Sequence, residues 1–186
     1  MNIRVVGKRM TCSLAVVCAL AAGTLLGPQE APKADPGMPA LQFVYEEVVT
    51  LDADQPVGET PQGRRNIVPI TGGTFAGPRL KGRILPGGWD WQLANPGGCF
   101  TVQADYMIQT DDGVIINVHN TGTSCKASDG KQGALLTSPR FEAPKGKYDW
   151  LNGGVFVGTV EGAQVDGKRA VRIRFYQAQG ALPTQR

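Results

Sequence analysis

Residues 100–118 read FTVQADYMIQTDDGVIINV, and this stretch decides the fold. Phe100, Val102, Ala104, Tyr106 and Ile108 alternate with Thr101, Gln103, Asp105, Met107 and Gln109. A period of two marks a strand with two unlike faces. Asp111-Asp112-Gly113 then supplies turn chemistry, with Gly113 free to take the positive φ that a tight hairpin needs, and 114–118 begins the returning strand. Read this way, Asp111 and Asp112 are turn formers before they are paired acids.

Outward from this hairpin the pattern repeats. Val171, Ile173 and Phe175 alternate with Arg172, Arg174 and Tyr176, and further strands are predicted at 41–51, 65–70, 73–85, 135–141 and 155–160. No stretch within the domain has convincing helical periodicity. The 25 glycines and 13 prolines fall mostly between the runs, where the tight connections of an antiparallel sheet require them. Seven to nine strands in about 140 residues predict an all-β sandwich or closed barrel, and a barrel of about eight strands can hold one small ligand in its mouth.

The amino terminus carries Arg4, Lys8 and Arg9 ahead of an apolar run from Met10 to Leu20, then Ala19-Leu20-Ala21 as a small-x-small cleavage site. This predicts a secretory signal peptide over 1–22. The apolar run is short against the roughly 20 residues a membrane span needs, so no membrane association is expected after cleavage. Residues 23–40 contain Pro28, Pro32, Pro36 and Pro39 among small and charged residues, the composition of a linker. Residues 41–179 have the size and apolar content of one domain, with 180–186 as a tail. The expected location is secreted or periplasmic.

Charge and cysteine content narrow the function. The chain has 19 Lys and Arg against 16 Asp and Glu, but three of the basic residues lie in the signal, which leaves a balanced mature chain. Without a basic stripe, nucleic acid is not an expected partner. Cys12 and Cys18 leave with the signal, so Cys99 and Cys125 are expected to pair in an oxidising compartment. No metal site is expected, since zinc takes about four ligands at characteristic spacings and His119 is the only histidine.

The segments GRRNIVPITGGTFAGP, LKGRILPGGWDWQL, ADYMIQTDDGVIINVHNTG and KYDWLNGGVFVG resemble the bacterial and fungal family called domain of unknown function 3237. The resemblance spans most of residues 41–177. It implies a single antiparallel barrel similar to allene oxide cyclase and the dirigent proteins, calycin-like in outline. Those proteins guide cyclisation or radical coupling of small hydrophobic molecules, generally without a bound cofactor, and barrels of this kind often associate into homo-oligomers. The signal peptide and the Cys99/Cys125 pair depart from the family's usual pattern and put a cytoplasmic role in doubt.

Four residues are candidates for catalysis: Asp90, Asp105, Arg65 and Tyr106. Asp90 lies between Trp89 and Trp91, so an inward carboxyl desolvated by those rings would suit a general acid, while an outward one would cap the Gly87-Gly88 turn. Asp105 occupies a strand interior, where aspartate is disfavoured, and faces either solvent or a polar lumen. Arg64 and Arg65 can clamp an anionic oxygen with planar donors, although alternation sends only one of them inward. Trp91, His119, Trp150 and Asn152, with Arg64, are candidates for a pocket wall. Two readings compete: a cofactor-independent isomerase, cyclase or lyase, and a non-catalytic module that binds a small hydrophobic or phenolic molecule. An envelope spacer is a third.

Overall fold

The computed structural model describes residues 37–180. The expected signal peptide, nearly all of the expected linker and the expected tail beyond residue 180 lie outside the described residues. Ten strands follow one another: β1 (Ala40–Leu51), β2 (Gln55–Thr60), β3 (Gly63–Ala76), β4 (Lys81–Ile84), β5 (Gly88–Ala94), β6 (Cys99–Thr110), β7 (Ile115–Cys125), β8 (Leu136–Glu142), β9 (Phe156–Val165) and β10 (Lys168–Gln179). The only helical element among the described residues is a 3-10 turn at Asp149–Leu151.

All pairings are antiparallel, and neighbours follow the order β1-β10-β9-β8-β7-β6-β4-β3, closed by pairing of β1 with β3. Closure makes a ring of eight strands and leaves no free edge within it. The ring accommodates ten strands because one lane is broken and one strand lies outside it. β4 pairs with Gly73–Ala76 of β3, and β5 pairs with Arg64–Ile70 of the same strand, so β4 and β5 share a lane interrupted at Leu85-Pro86-Gly87. Leu85 and Gly87 keep their N–H groups bonded to the Met107 and Ile70 carbonyls, at 2.8 and 3.1 Å, which bridges the interruption. β2 pairs with the first half of β3 and extends that hairpin past the ring.

Two of these strands escaped the sequence reading. β5 reads GWDWQLA, and its alternation puts the large rings outside and the polar residues inside, the reverse of the usual pattern. β2 reads QPVGET and lacks an apolar face. β3 also runs unbroken through Thr71-Gly72-Gly73, where two separate strands were expected.

The barrel is filled at one end only. Tyr45, Phe75, Phe141, Phe156 and Phe175 pack edge-on or tilted, with ring centroids 4.9 to 6.3 Å apart, and Ile84, Ile108, Ile116 and Leu151 complete this floor. The 3-10 turn lies against it, held by two hydrogen bonds between the Asn152 amide and the backbone of Ala143, at 2.8 and 3.0 Å. Toward the other end the inward residues become smaller and more polar. Cys99 and Cys125 face each other across β6 and β7 near that rim and form the expected disulfide.

Candidate functional site

Above the aromatic floor lies a cavity of about 180 Å³. Its walls are Val49, Leu51, Ile70, Phe100, Val102, Ala104, Leu135, Val160, Val171 and Ile173, with Asp90, Gln92, Tyr106, Asn120 and Thr137 as its polar members. Strand register explains their convergence. Directly paired residues of an antiparallel sheet point to the same face. The row Val68–Asp90–Ala104–Asn120–Pro139 therefore crosses β3, β5, β6, β7 and β8 on the lumen side. The small side chain of Ala104 leaves the space between Asp90 and Asn120 open. One step toward the rim, Val102, Gly122, Thr137 and Gly158 form the next row.

Asp90 is tightly held. Its Oδ2 accepts from the Gln92 amide at 2.8 Å and its Oδ1 from the Gln103 backbone N–H at 3.2 Å, while Gln92 in turn accepts from Asn66 at 3.3 Å. Burial among apolar walls raises the carboxyl pKa, and the two donated hydrogen bonds moderate the rise. The flanking tryptophans do not cause this. Trp89 and Trp91 are 40% and 44% exposed on the outer wall, whereas Val68 and Ala104 flank Asp90 directly on the lumen face. Asp90 therefore faces inward, away from the turn at Gly87-Gly88.

Tyr106 also faces inward and is buried at the floor. Its hydroxyl donates to Glu47 Oε1 at 2.5 Å. Glu47, on β1, is fully buried, and desolvation pushes its pKa up to about 8 despite the hydrogen bond from Tyr106, so it is mostly protonated at neutral pH. Tyr106 reaches this position because Gly88 lies beneath it. A Cβ at Gly88 would come within 2.5 Å of the Tyr106 Cβ.

The remaining sequence candidates lie elsewhere. Asp105 and His119 form a cross-strand pair on the outer wall, 3.9 Å apart and both substantially exposed, because they occupy the odd positions of strands whose even positions face in. Trp91 shares that outer wall. Arg65 pairs with Leu93 on the outer rank, whereas Arg64 pairs with Ala94 on the lumen side and stands at the rim. A groove at this rim, formed by Arg64, Arg65, Asn66, Gln92 and Phe100, shares Gln92 and Phe100 with the lumen. Trp150 lies at the filled end, with the Arg79 guanidinium 3.4 Å above its ring, and Asn152 pins the adjacent turn. Asp111 pairs with Lys81, and Asp112 accepts from Thr110, Lys147 and Tyr148, all in the turn region. Of the four expected catalytic residues, Asp90 and Tyr106 reach the lumen, and Asp105 and Arg65 do not.

Sequence reasoning missed Glu47, Gln92, Asn120 and Thr137. The signal was present for two of them. Tyr45, Glu47, Val49 and Leu51 form an alternating series, as do Ile116, Val118 and Asn120, and each places one polar residue where an apolar one belongs. Among the described residues, no group of acidic, histidine or cysteine side chains is arranged to hold a metal ion.

The architecture is a closed antiparallel barrel packed at one end, with a cavity lined by an acid and polar amides toward the other. The chain belongs to the family described as "Protein of unknown function (DUF3237)", whose profile matches residues 39–178. A UPF0311 protein of Rhodopseudomonas palustris strain TIE-1 is 34% identical over 130 residues, covering 63% of this chain and 85% of the relative. The hydroalkoxylation enzyme phnH of Penicillium herquei is 27% identical over 146 residues, covering 77% of this chain and 85% of that enzyme. Among solved structures, a β-barrel-like protein of Acinetobacter baumannii AYE superposes with a TM-score of 0.67 at 32% identity, covering 81% of this chain and all of that one. A Penicillium herquei enzyme superposes with a TM-score of 0.60 at 23% identity, a likeness of fold.

Proposed function

We propose that the lumen binds a small hydrophobic or phenolic molecule and acts on it as a cofactor-independent isomerase or cyclase, with Asp90 as the proton-transfer group. The observation that carries this reading is the position of Asp90: a carboxyl with raised pKa, held by two hydrogen bonds, facing a cavity whose walls are otherwise mainly apolar. Burial favours the protonated form of the carboxyl and strengthens its electrostatic effect on a neighbouring atom. Isomerisation leaves composition unchanged, so the proton that Asp90 delivers at one atom is recovered from another and the carboxyl is restored. The sequence relationship to a hydroalkoxylation enzyme supports this class, because addition of an O–H across a carbon–carbon double bond within one molecule is such a rearrangement.

Asp90→Asn tests the reading. The amide keeps the size and the capacity to accept from Gln92 but cannot deliver a proton, so the variant should bind the turned-over compound while turnover falls by about 10²-fold or more, the usual range for a general acid. Turnover would be followed by NMR on pooled phenols, enones and hydroxyalkenes. Full activity in the folded variant would leave a binding module without acid–base chemistry.

The export expected from the amino terminus is part of the proposal. The Cys99–Cys125 disulfide supports it, since such bonds persist in oxidising compartments. Among the described residues, no helix is long and apolar enough to cross a membrane. The check is the amino-terminal sequence of the protein recovered outside the cytoplasm, which should begin near residue 23.

A further inference from the structure

Two polar atoms in the lumen wall, Asn120 Oδ1 and Thr137 Oγ1, have no hydrogen-bond partner among the described residues. Asn120 is 2% exposed and Thr137 is 4% exposed, and both line the cavity. The Asn120 Oδ1 and Thr137 Oγ1 atoms are each buried and unpartnered. Such groups are rare in folded proteins, because burying an amide or hydroxyl without a partner costs free energy that neither valine nor leucine would incur.

The pair is placed as a subsite rather than scattered. Asn120 lies opposite Pro139 and Thr137 opposite Gly122 in the β7/β8 ladder, so the two sit diagonally on adjacent strands and share the lumen face. Gly122 and Gly158, paired directly with Thr137, make room for its side chain, since a Cβ at Gly158 would collide with Thr137 Oγ1 and one at Gly122 would lie 2.7 Å from its Cγ2, while Ala104, paired directly with Asn120, is small. Asp90 lies in the same row as Asn120, two strands away, which is about 10 Å between backbones along the wall. An acceptor at Asn120 Oδ1 calls for a donor, and Thr137 Oγ1 can donate or accept. One hydroxyl group can meet both needs, donating to the amide oxygen and accepting from the threonine.

We propose that Asn120 and Thr137 form the recognition subsite of this lumen, holding the hydroxyl of an otherwise apolar alcohol or phenol and so presenting the rest of the ligand to Asp90. The assignment rests on the reading of the lumen as the ligand site. It makes the two residues specificity determinants that orient the ligand.

The experiment uses the purified protein with two probes of nearly equal shape, 4-propylphenol and 4-propyltoluene, in which a methyl group replaces the hydroxyl. Affinities are read by ligand-observed NMR titration for the wild type, Thr137→Val, Asn120→Leu and Ala104→Leu. The wild type should prefer the phenol by roughly tenfold, as one satisfied buried hydrogen-bond site discriminates. Thr137→Val and Asn120→Leu should each erase most of that preference, chiefly by weakening the phenol. Thermal unfolding without probe should show Thr137→Val at least as stable as the wild type, because an unsatisfied hydroxyl has been replaced by a methyl of the same shape. Ala104→Leu, which fills the space between Asp90 and Asn120, should weaken both probes. Equal affinity for the two probes in the wild type, with both expelled by Ala104→Leu, would overturn the subsite and leave the lumen reading standing. A preference that survives in both variants, or a marked loss of stability in Thr137→Val, would also overturn it. If neither probe binds, both readings fall.

Discussion

Glu47 is a carboxylic acid with no exposure to water, placed where strand alternation calls for an apolar residue. Its Oε1 is satisfied by Tyr106, whereas Oε2 is buried without a partner and the neighbouring Tyr45 hydroxyl is equally unpartnered. The protein accommodates this acid by keeping it neutral. Because the folded pKa is raised from 4.5 to about 8, the folded state holds a proton that the unfolded state releases first, so stability falls as pH climbs through that window. The slope approaches about 1.4 kcal/mol per pH unit between the two limits, with the total limited to a few kcal/mol. Glu47→Gln keeps an acceptor for Tyr106 and removes the titration. Urea midpoints should therefore change much less between about pH 5 and about pH 8 in the variant than in the wild type, and an unaltered slope would assign the pH dependence to another group. Asp90 adds a contribution of the same sign. Asp112 has the opposite one: hydrogen bonds from Lys147, Thr110 and Tyr148 hold its pKa well below the usual carboxylate range, but it is exposed at the surface and salt screens it.

At the scale of elements, the β6/β7 hairpin organises the site. It supplies Tyr106, Ala104, Val102, Phe100 and Asn120 to the lumen from a single pair of strands in unbroken register. The turn at Asp111-Asp112-Gly113 closes one end of the hairpin, with Gly113 at φ 86°, and the Cys99–Cys125 bond closes the other. Across a sequence separation of 26 residues, the chain-entropy account assigns the disulfide roughly 3 kcal/mol through restriction of the unfolded chain. Reduction under native conditions should lower the urea midpoint accordingly, without loss of the β-sheet circular dichroism signal in the absence of denaturant. A midpoint that does not move would mean that the ladder alone holds the rim. Beside this hairpin, β5 turns Asp90 and Gln92 inward and Trp89 and Trp91 outward through its register with β3 and β6.

The barrel divides along its axis into a filled half and an open half. Phe175 is fully buried in the aromatic floor, whereas Val160 lines the lumen. Phe175→Ala should cost about 3 to 5 kcal/mol, because the surrounding rings cannot collapse into the space, and Val160→Ala under about 1.5 kcal/mol, because its methyl groups already face open volume. Chemical denaturation of the two variants would measure the difference, and comparable losses would mean that the lumen is as rigidly packed as the floor.

Alternation alone determined that the domain is all β and that the 100–118 hairpin carries two unlike faces, with Asp105 and Tyr106 on opposite ones. These are properties of a strand's own backbone, in which successive side chains point oppositely whatever the strand packs against. Register and closure decided the rest. Whether Asp90 or its tryptophan neighbours faced the lumen depended on which residues of β3 and β6 paired with β5, and a slip of one residue would have exchanged them. Asp105 and His119 looked like candidate chemistry in the sequence yet lie on the outer wall, while Asn120 and Thr137, unremarkable in the sequence, are brought to one cavity by pairing across β6, β7 and β8. The site is made of contacts between residues distant in sequence, and only the closed ring brings them together.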